Sequence, residues 1–234
     1  MDKQRARSPE ELACRKKSIV DALEKLLKKQ LLPLPSTQEI AEKAGVTKGV
    51  IYHYFETKEE IFLTLLRREI QKLMDAISEI LDGPEYSAEA MRDCFVKCCQ
   101  NDILMYLGSI GPSILEANIS SDFTLGFKEF NFVGTDELAK RWHRAEPGIS
   151  LEDLRKFLVR MYFSALTQWQ YYHPPKAVSE AFSKSPDDPR TTNWLSLFEG
   201  DFATSLRECY DWLWHGMHAT AAPKKERLGS RSRR

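Results

Sequence analysis

Residues 36–66 read STQEIAEKAGVTKGVIYHYFETKEEIFLTLL, three apolar runs at helical spacing, each opening on a hydroxyl side chain. Ser36 and Glu39 have the spacing of a capping box, in which serine and glutamate satisfy each other's orphan amides. Ile40, Ala41 and Ala44 then face inward, and Gly45 ends the helix, since glycine accepts the left-handed conformation that closes it. Thr47 opens a short helix carrying Val50, Ile51 and Tyr54. Thr57 opens a long one over 58–82, with Phe62, Leu66, Leu73, Ile77 and Ile80 on one side. Two short helices joined through a glycine have the layout of a helix-turn-helix.

On the N-terminal side, Ser8, Pro9, Glu10 and Glu11 mark a helix start, and Leu12, Ile19, Leu23, Leu26 and Leu27 form one stripe. That helix is expected over Pro9–Leu31, stopped by Pro33 and Pro35. On the C-terminal side the spacing predicts helices over 87–107, 113–119, 122–145, 150–173 and 192–218, with 174–190 a loop holding at most a turn of helix. The expected fold class is all-α: a three-helix, helix-turn-helix domain over 1–66, a larger helical domain over 67–222, and a basic disordered tail over 223–234. The net charge is zero but unevenly placed, roughly +3 over 1–70, roughly −8 over 71–222 and roughly +5 over 223–234. A basic end beside an acidic body suits a chain whose first part meets a polyanion. The polar N-terminus and the lack of a long apolar run point to a cytoplasmic protein with no membrane partner.

Chemistry enters at the second short helix. Lys48, Gly49, Tyr52 and His53 fall on its outer side: a cation, a residue small enough for close approach, and polar aromatics, all suited to a major groove. Lys58 stands at a helix start, where free amides also attract anions. Tyr54 and Phe55 are read as core of the small unit rather than as DNA contacts.

The run IAEKAGVTKGVIYHYFETKEEIFLTLL resembles the signature of TetR-type transcriptional repressors, in register over about residues 10–66. The resemblance implies a recognition surface of Thr47, Lys48, Gly49, Val50, Tyr52 and His53, phosphate contacts from Tyr52 and Lys58, and support from Ser36, Thr37 and Gln38. Departures touch single contacts: LLPLP precedes Ser36 where a glycine is usual, Tyr54 replaces a common histidine, and Val50 a common threonine. The resemblance also implies a homodimer on a palindromic double-stranded operator, built by the last two long helices. Leu154, Leu158, Met161 and Ala165 on one, and Phe202, Leu206, Cys209 and Leu213 on the other, are the expected dimer residues.

A lipophilic effector is expected among the middle helices, whose large apolar residues exceed what a thin helical layer needs. Its expected lining is Phe95, Asp102, Met105, Tyr106, Glu116, Phe127, Phe130, Asn131, Phe163, Gln168, Trp169 and Tyr172, with the polar members orienting the ligand. An unpaired carboxylate there would favour a cation. There is no phosphate loop, nucleophile elbow or HExxH, so neither enzyme chemistry nor a cofactor is expected. The Cys94, Cys98 and Cys99 cluster is read as core, and His215 with His218 as surface. Two other readings stand beside the regulator: a helical enzyme or small-molecule carrier with a vestigial helix-turn-helix, and a regulator gated by thiol oxidation.

Overall fold

The computed structural model describes residues 8–84, 86–198 and 200–221. The basic tail expected over 223–234 lies outside them. Helix α1 (Pro9–Leu27) starts where Ser8 Oγ accepts the Glu11 amide at 3.2 Å. It stops short of Leu31, because the Leu26 carbonyl accepts both the Lys29 and Gln30 amides and tightens the last turn. Leu12, expected in its stripe, is exposed, whereas Ile19, Leu23 and Leu27 are buried. Helix α2 (Thr37–Ala44) carries the expected capping box, with the Ser36 amide donating to Glu39 Oε2 at 2.8 Å. Gly45 closes it at φ +67°, while the Val46 amide reaches back to the Ala41 carbonyl. Helix α3 (Lys48–Tyr54) follows directly, and Thr47 holds its cap position without a side-chain cap bond.

Helix α4 (Lys58–Asp82) begins where Thr57 Oγ1 accepts the Glu60 amide at 3.3 Å. Its 25 residues span about 37 Å. Ile61, Phe62 and Leu65 join Leu23, Ile40, Ile51 and Phe55 in the core of the small N-terminal unit. Farther along, α4 packs on the rest of the molecule, so the expected division at residue 66 falls inside one continuous helix rather than in a linker.

The middle of the chain is more broken than its periodicity suggested. The expected helix over 87–107 is two: α5 (Ala88–Cys99) and α6 (Asp102–Ile110). Asn101 divides them, its Oδ1 accepting the Ile103 and Leu104 amides at 3.1 and 3.3 Å. Residues 111–118 are a π-helical turn (Gly111–Leu115) and a 3₁₀ turn (Glu116–Asn118) rather than a helix over 113–119. Helices α7 (Ser121–Ala145) and α8 (Leu151–Tyr172) match expectation, each starting on a serine cap. The expected loop at 174–190 contains α9 (Lys176–Lys184). The expected helix over 192–218 is α10 (Pro189–Leu195), a 3₁₀ turn, a break at Gly200 (φ +86°), and α11 (Phe202–Ala221).

Helix α4 runs through the centre, against α1, α5, α6 and α7, while α8 packs on α6, α7 and α11. Trp142 of α7 is the largest fully buried side chain. It stacks on Trp214 at 5.2 Å and meets the Phe157 edge at 5.5 Å, tying α7, α8 and α11 together. Its indole N–H donates to Tyr86 Oη, which donates to Glu146, so the buried nitrogen is satisfied. All described secondary structure is helical, and no described helix is long and apolar enough to cross a membrane.

Candidate nucleic-acid interface and effector cavity

Two caps and one glycine set the outer surface of α3. With Ile51 and Phe55 buried, helical geometry turns Lys48, Gly49, Tyr52 and His53 outward, and all four are exposed. Thr47, Ser36 and Gln38 are exposed too, while Val50 and Lys58 are half-buried. Thr37 is turned in, with its Oγ1 3.5 Å from Tyr52 Oη. That contact places the first turn of α2 against the α3 tyrosine. Phe55 is core as expected, and Tyr54 packs against that core.

The second site is a cavity of about 470 Å³ between α4, α6, the π-turn, α7 and α8. Leu66, Ile70, Leu73 and Ile77 form its α4 wall, facing Leu138 and Leu158. Of the residues expected to line it, Phe95, Glu116, Phe127, Asn131 and Phe163 do. Glu116 pairs with Lys128 at 2.7 Å, which removes the unpaired carboxylate on which a cationic ligand would depend.

The other expected lining residues have different work. Asp102 is exposed and accepts the Trp169 indole N–H at 3.1 Å, and both line a separate open depression with Tyr172. Met105 and Tyr106 are buried in the core, the latter 6.1 Å from the Trp169 ring. Phe130 lies under the Arg67 guanidinium at 4.5 Å, in an outer groove. Gln168 joins α8 to α11, donating to Ser164 Oγ and accepting from Ser205 Oγ. A twenty-two-residue helix shows several apolar arcs, and composition does not say which arc meets a void. The α4 wall is expected only as one apolar side of its helix, and Gly108, whose type suggests a helix break, lies inside α6.

The expected dimer residues divide by burial. Leu154, Met161, Ala165, Phe202 and Leu206 are buried within the single chain. Leu213 packs against that core, Leu158 lines the cavity, and Cys209 lies 3.1 Å from Ser164 Oγ. Helices α8 and α11 turn this arc toward each other and toward the core. Trp212 of α11 is exposed (74 %) beside Asp153, Lys156 and Arg160 of α8, while Val159 of α8 is on the cavity side.

Residues 19–65 match the family model described as bacterial regulatory proteins, tetR family. Residues 64–221 match that of the tetracyclin repressor-like C-terminal domain. The HTH-type transcriptional activator FasR of Mycolicibacterium smegmatis (strain ATCC 700084 / mc(2)155) is 40% identical over 43 residues, 18% of this chain and 20% of that protein. The match thus spans a fifth of that relative's length. Among solved structures, FadR from Bacillus subtilis in complex with stearoyl-CoA superimposes with a TM-score of 0.51 at 14% identity, over 86% of this chain and 99% of that one. PfmR from Thermus thermophilus gives 0.50 at 17% identity, over 84% and 97% of the two chains. At these identities the structures speak for the fold.

Proposed function

This chain belongs to the tetR family of bacterial transcriptional regulators, and we propose that it is a repressor released from a palindromic operator when a lipophilic molecule enters the α4–α8 cavity. The observation that supports this most is the double membership of α4. Its first turns are core of the DNA-facing unit, and its next turns are cavity wall. A ligand that prefers a shifted α4 therefore changes the spacing of two recognition helices in a dimer. A lipophilic effector also fits one solved neighbour, which holds stearoyl-CoA. The proposed DNA surface is Ser36, Gln38, Thr47, Lys48, Gly49, Val50, Tyr52, His53 and Lys58, with Thr37 behind Tyr52. The domain division we propose is functional, 1–66 reading DNA and 67–222 sensing and dimerising.

The test is reciprocal binding. Operator affinity is measured with and without a lipophilic ligand, and ligand affinity with and without operator. Linkage requires the same factor both ways, and a hundredfold factor corresponds to about 2.7 kcal/mol of coupling. A ligand that binds without changing operator affinity is not the inducer. Reporter transcription falling when the protein is supplied distinguishes a repressor from an activator.

One observation favours a second reading, gating by thiol chemistry. Cys94 and Cys98 stand one turn apart on α5, and a hydrogen bond from Cys98, helped by Lys97, draws the Cys94 thiol below its ordinary range against burial. Cys98 is pushed up by the same contact. Oxidant-induced operator release that survives in Cys94→Ser excludes this reading.

A further inference from the structure

The first half of α1 buries none of its residues. Pro9 through Ser18 are all exposed, and burial starts only at Ile19. At about 1.5 Å per residue this is an overhang of roughly 15 Å. Helices in proteins draw most of their stability from packing an apolar face. This half is held at its start instead: Ser8 caps the Glu11 amide, Pro9 fits the first turn, and Glu10 and Glu11 suit the positive helix end.

Three cations follow the acidic turn. Arg15 stands four residues before Ile19 and Lys16 four before Val20, both buried, so the two share the face that farther along α1 packs on the small unit. Lys17 is tied to Asp21 at 3.0 Å. Among the described residues Arg15 takes no ion pair. Lys16 Nζ lies 5.6 Å from the centre of the Phe55 ring. Phe55 closes α3, and Lys58, three residues on, opens α4. The overhang therefore stands beside the α3–α4 junction, at the edge of the proposed DNA surface, with its cations on the side that meets that junction.

We propose that the overhanging start of α1 is a second DNA contact, in which Arg15 and Lys16 hold backbone phosphates beside the base pairs read by α3. The proposal rests on the DNA-binding reading and extends it to a helix outside the helix-turn-helix. Phosphate is the fitting partner because adjacent exposed cations gain most from a polyanion, whose counterions they release. Arginine offers a phosphate its planar fork and lysine a point charge. Such contacts fix the register of the protein on the duplex and carry no sequence information.

The test uses the full chain, a palindromic operator selected from random-sequence duplexes, and an unselected duplex of equal length. The variant is Arg15→Gln with Lys16→Gln, which removes two charges and keeps good helix formers. It is expected to bind both duplexes more weakly by the same factor, about tenfold, and its slope of log affinity against log salt is expected to flatten by about 0.9 for each phosphate lost. Lys25→Gln with Lys29→Gln removes equal charge from exposed positions at the far end of α1 and is expected to change neither. An equal loss in the two double variants shows a long-range charge effect and overturns the contact. An unchanged salt slope in the first variant, or a loss confined to the operator, also overturns it. Arg15→Lys with Lys16→Arg keeps both charges and is expected to bind as wild type; a loss there as large as with glutamine shows that charge is not what the position supplies. Lys48→Ala separates the two levels. If it lowers operator affinity while the first variant binds as wild type, the DNA reading stands without the overhang. If wild type retards neither duplex, both fall.

Discussion

Gly49 sits in the first turn of α3, and a Cβ built there would meet only Thr47 Oγ1, at 4.0 Å. Nothing inside the chain requires a glycine there. A glycine in a helix costs up to about 1 kcal/mol relative to alanine, so its presence points to something approaching from outside. Gly49→Ala is expected to leave the melting temperature equal or slightly higher while weakening operator binding, read by thermal denaturation beside a mobility shift. Lys48→Ala is expected to weaken the operator strongly, whereas Lys58→Ala lowers affinity for all sequences alike, since a phosphate contact carries no base information. If both variants retard operator DNA like wild type, the α3 surface is not the reader. These residues were legible in the sequence because their placement is local: a cap, a glycine and a helical period fix which side chains turn outward. The cavity was not, because a void is defined by side chains from several helices. The same holds for Trp142, whose aromatic neighbours come from two other helices and a loop.

At the scale of elements, the proposed coupling between cavity and DNA surface runs through the junction of α1, α4 and α6. Arg68 of α4 donates to Asp21 and Glu24 of α1, at 2.5 and 2.8 Å. The next residue, Glu69, is buried and accepts from Lys72 and from the amide of Asn101, the residue that caps α6. Two adjacent residues of one helix thus hold the DNA-facing unit and the cavity-bearing helices. Arg68→Ala is expected to keep ligand binding but to reduce the factor by which ligand changes operator affinity, measured by the reciprocal titration. The hydrogen bond from Lys28, with the nearby Arg68 charge, holds Glu24 below its ordinary range against some burial. A carboxylate depressed in the folded state adds stability above its unfolded pKa and loses it as pH falls through the folded one. Denaturation midpoints are therefore expected to drop below about pH 4.3, and to drop less steeply in Glu24→Gln. A slope unchanged by that substitution would show the pair to be idle. Caps made most element starts readable. The break at Asn101 was missed because apolar spacing continues across it, and the break at Gly200 because Phe198 and Phe202 keep helical register on either side.

At the scale of the whole molecule, we propose that the dimer face lies outside the arcs of α8 and α11 that the chain itself covers. Leu154, Met161, Ala165 and Leu206 are each covered by their own chain, as an amphipathic stripe requires of helices packed side by side. The sequence showed that both helices were apolar on more than one side, but not which side faced a neighbour of the same chain. The candidate anchor of the dimer face is Trp212, 74 % exposed on α11 and beside Asp153, Lys156 and Arg160 of α8. A tryptophan so placed is the kind of side chain that anchors an interface. Two copies joined across this face form an isologous pair, as two-fold symmetry requires and as two half-sites about one DNA turn apart demand. Trp212→Glu is expected to give a folded monomer by light scattering, because the side chain leaves no hole in the core. Its operator affinity is expected to fall severalfold or more, since each monomer then meets one half-site. Ligand binding in the cavity is expected to persist, because Trp212 does not line it. If Trp212→Glu stays dimeric while Leu206→Glu dissociates without unfolding, the buried arc is the interface after all and the Trp212 face is only surface. If both variants and wild type are monomers at micromolar concentration and still bind a palindrome selectively, then assembly occurs on the DNA, and the affinity of Trp212→Glu for a single half-site equals that of wild type.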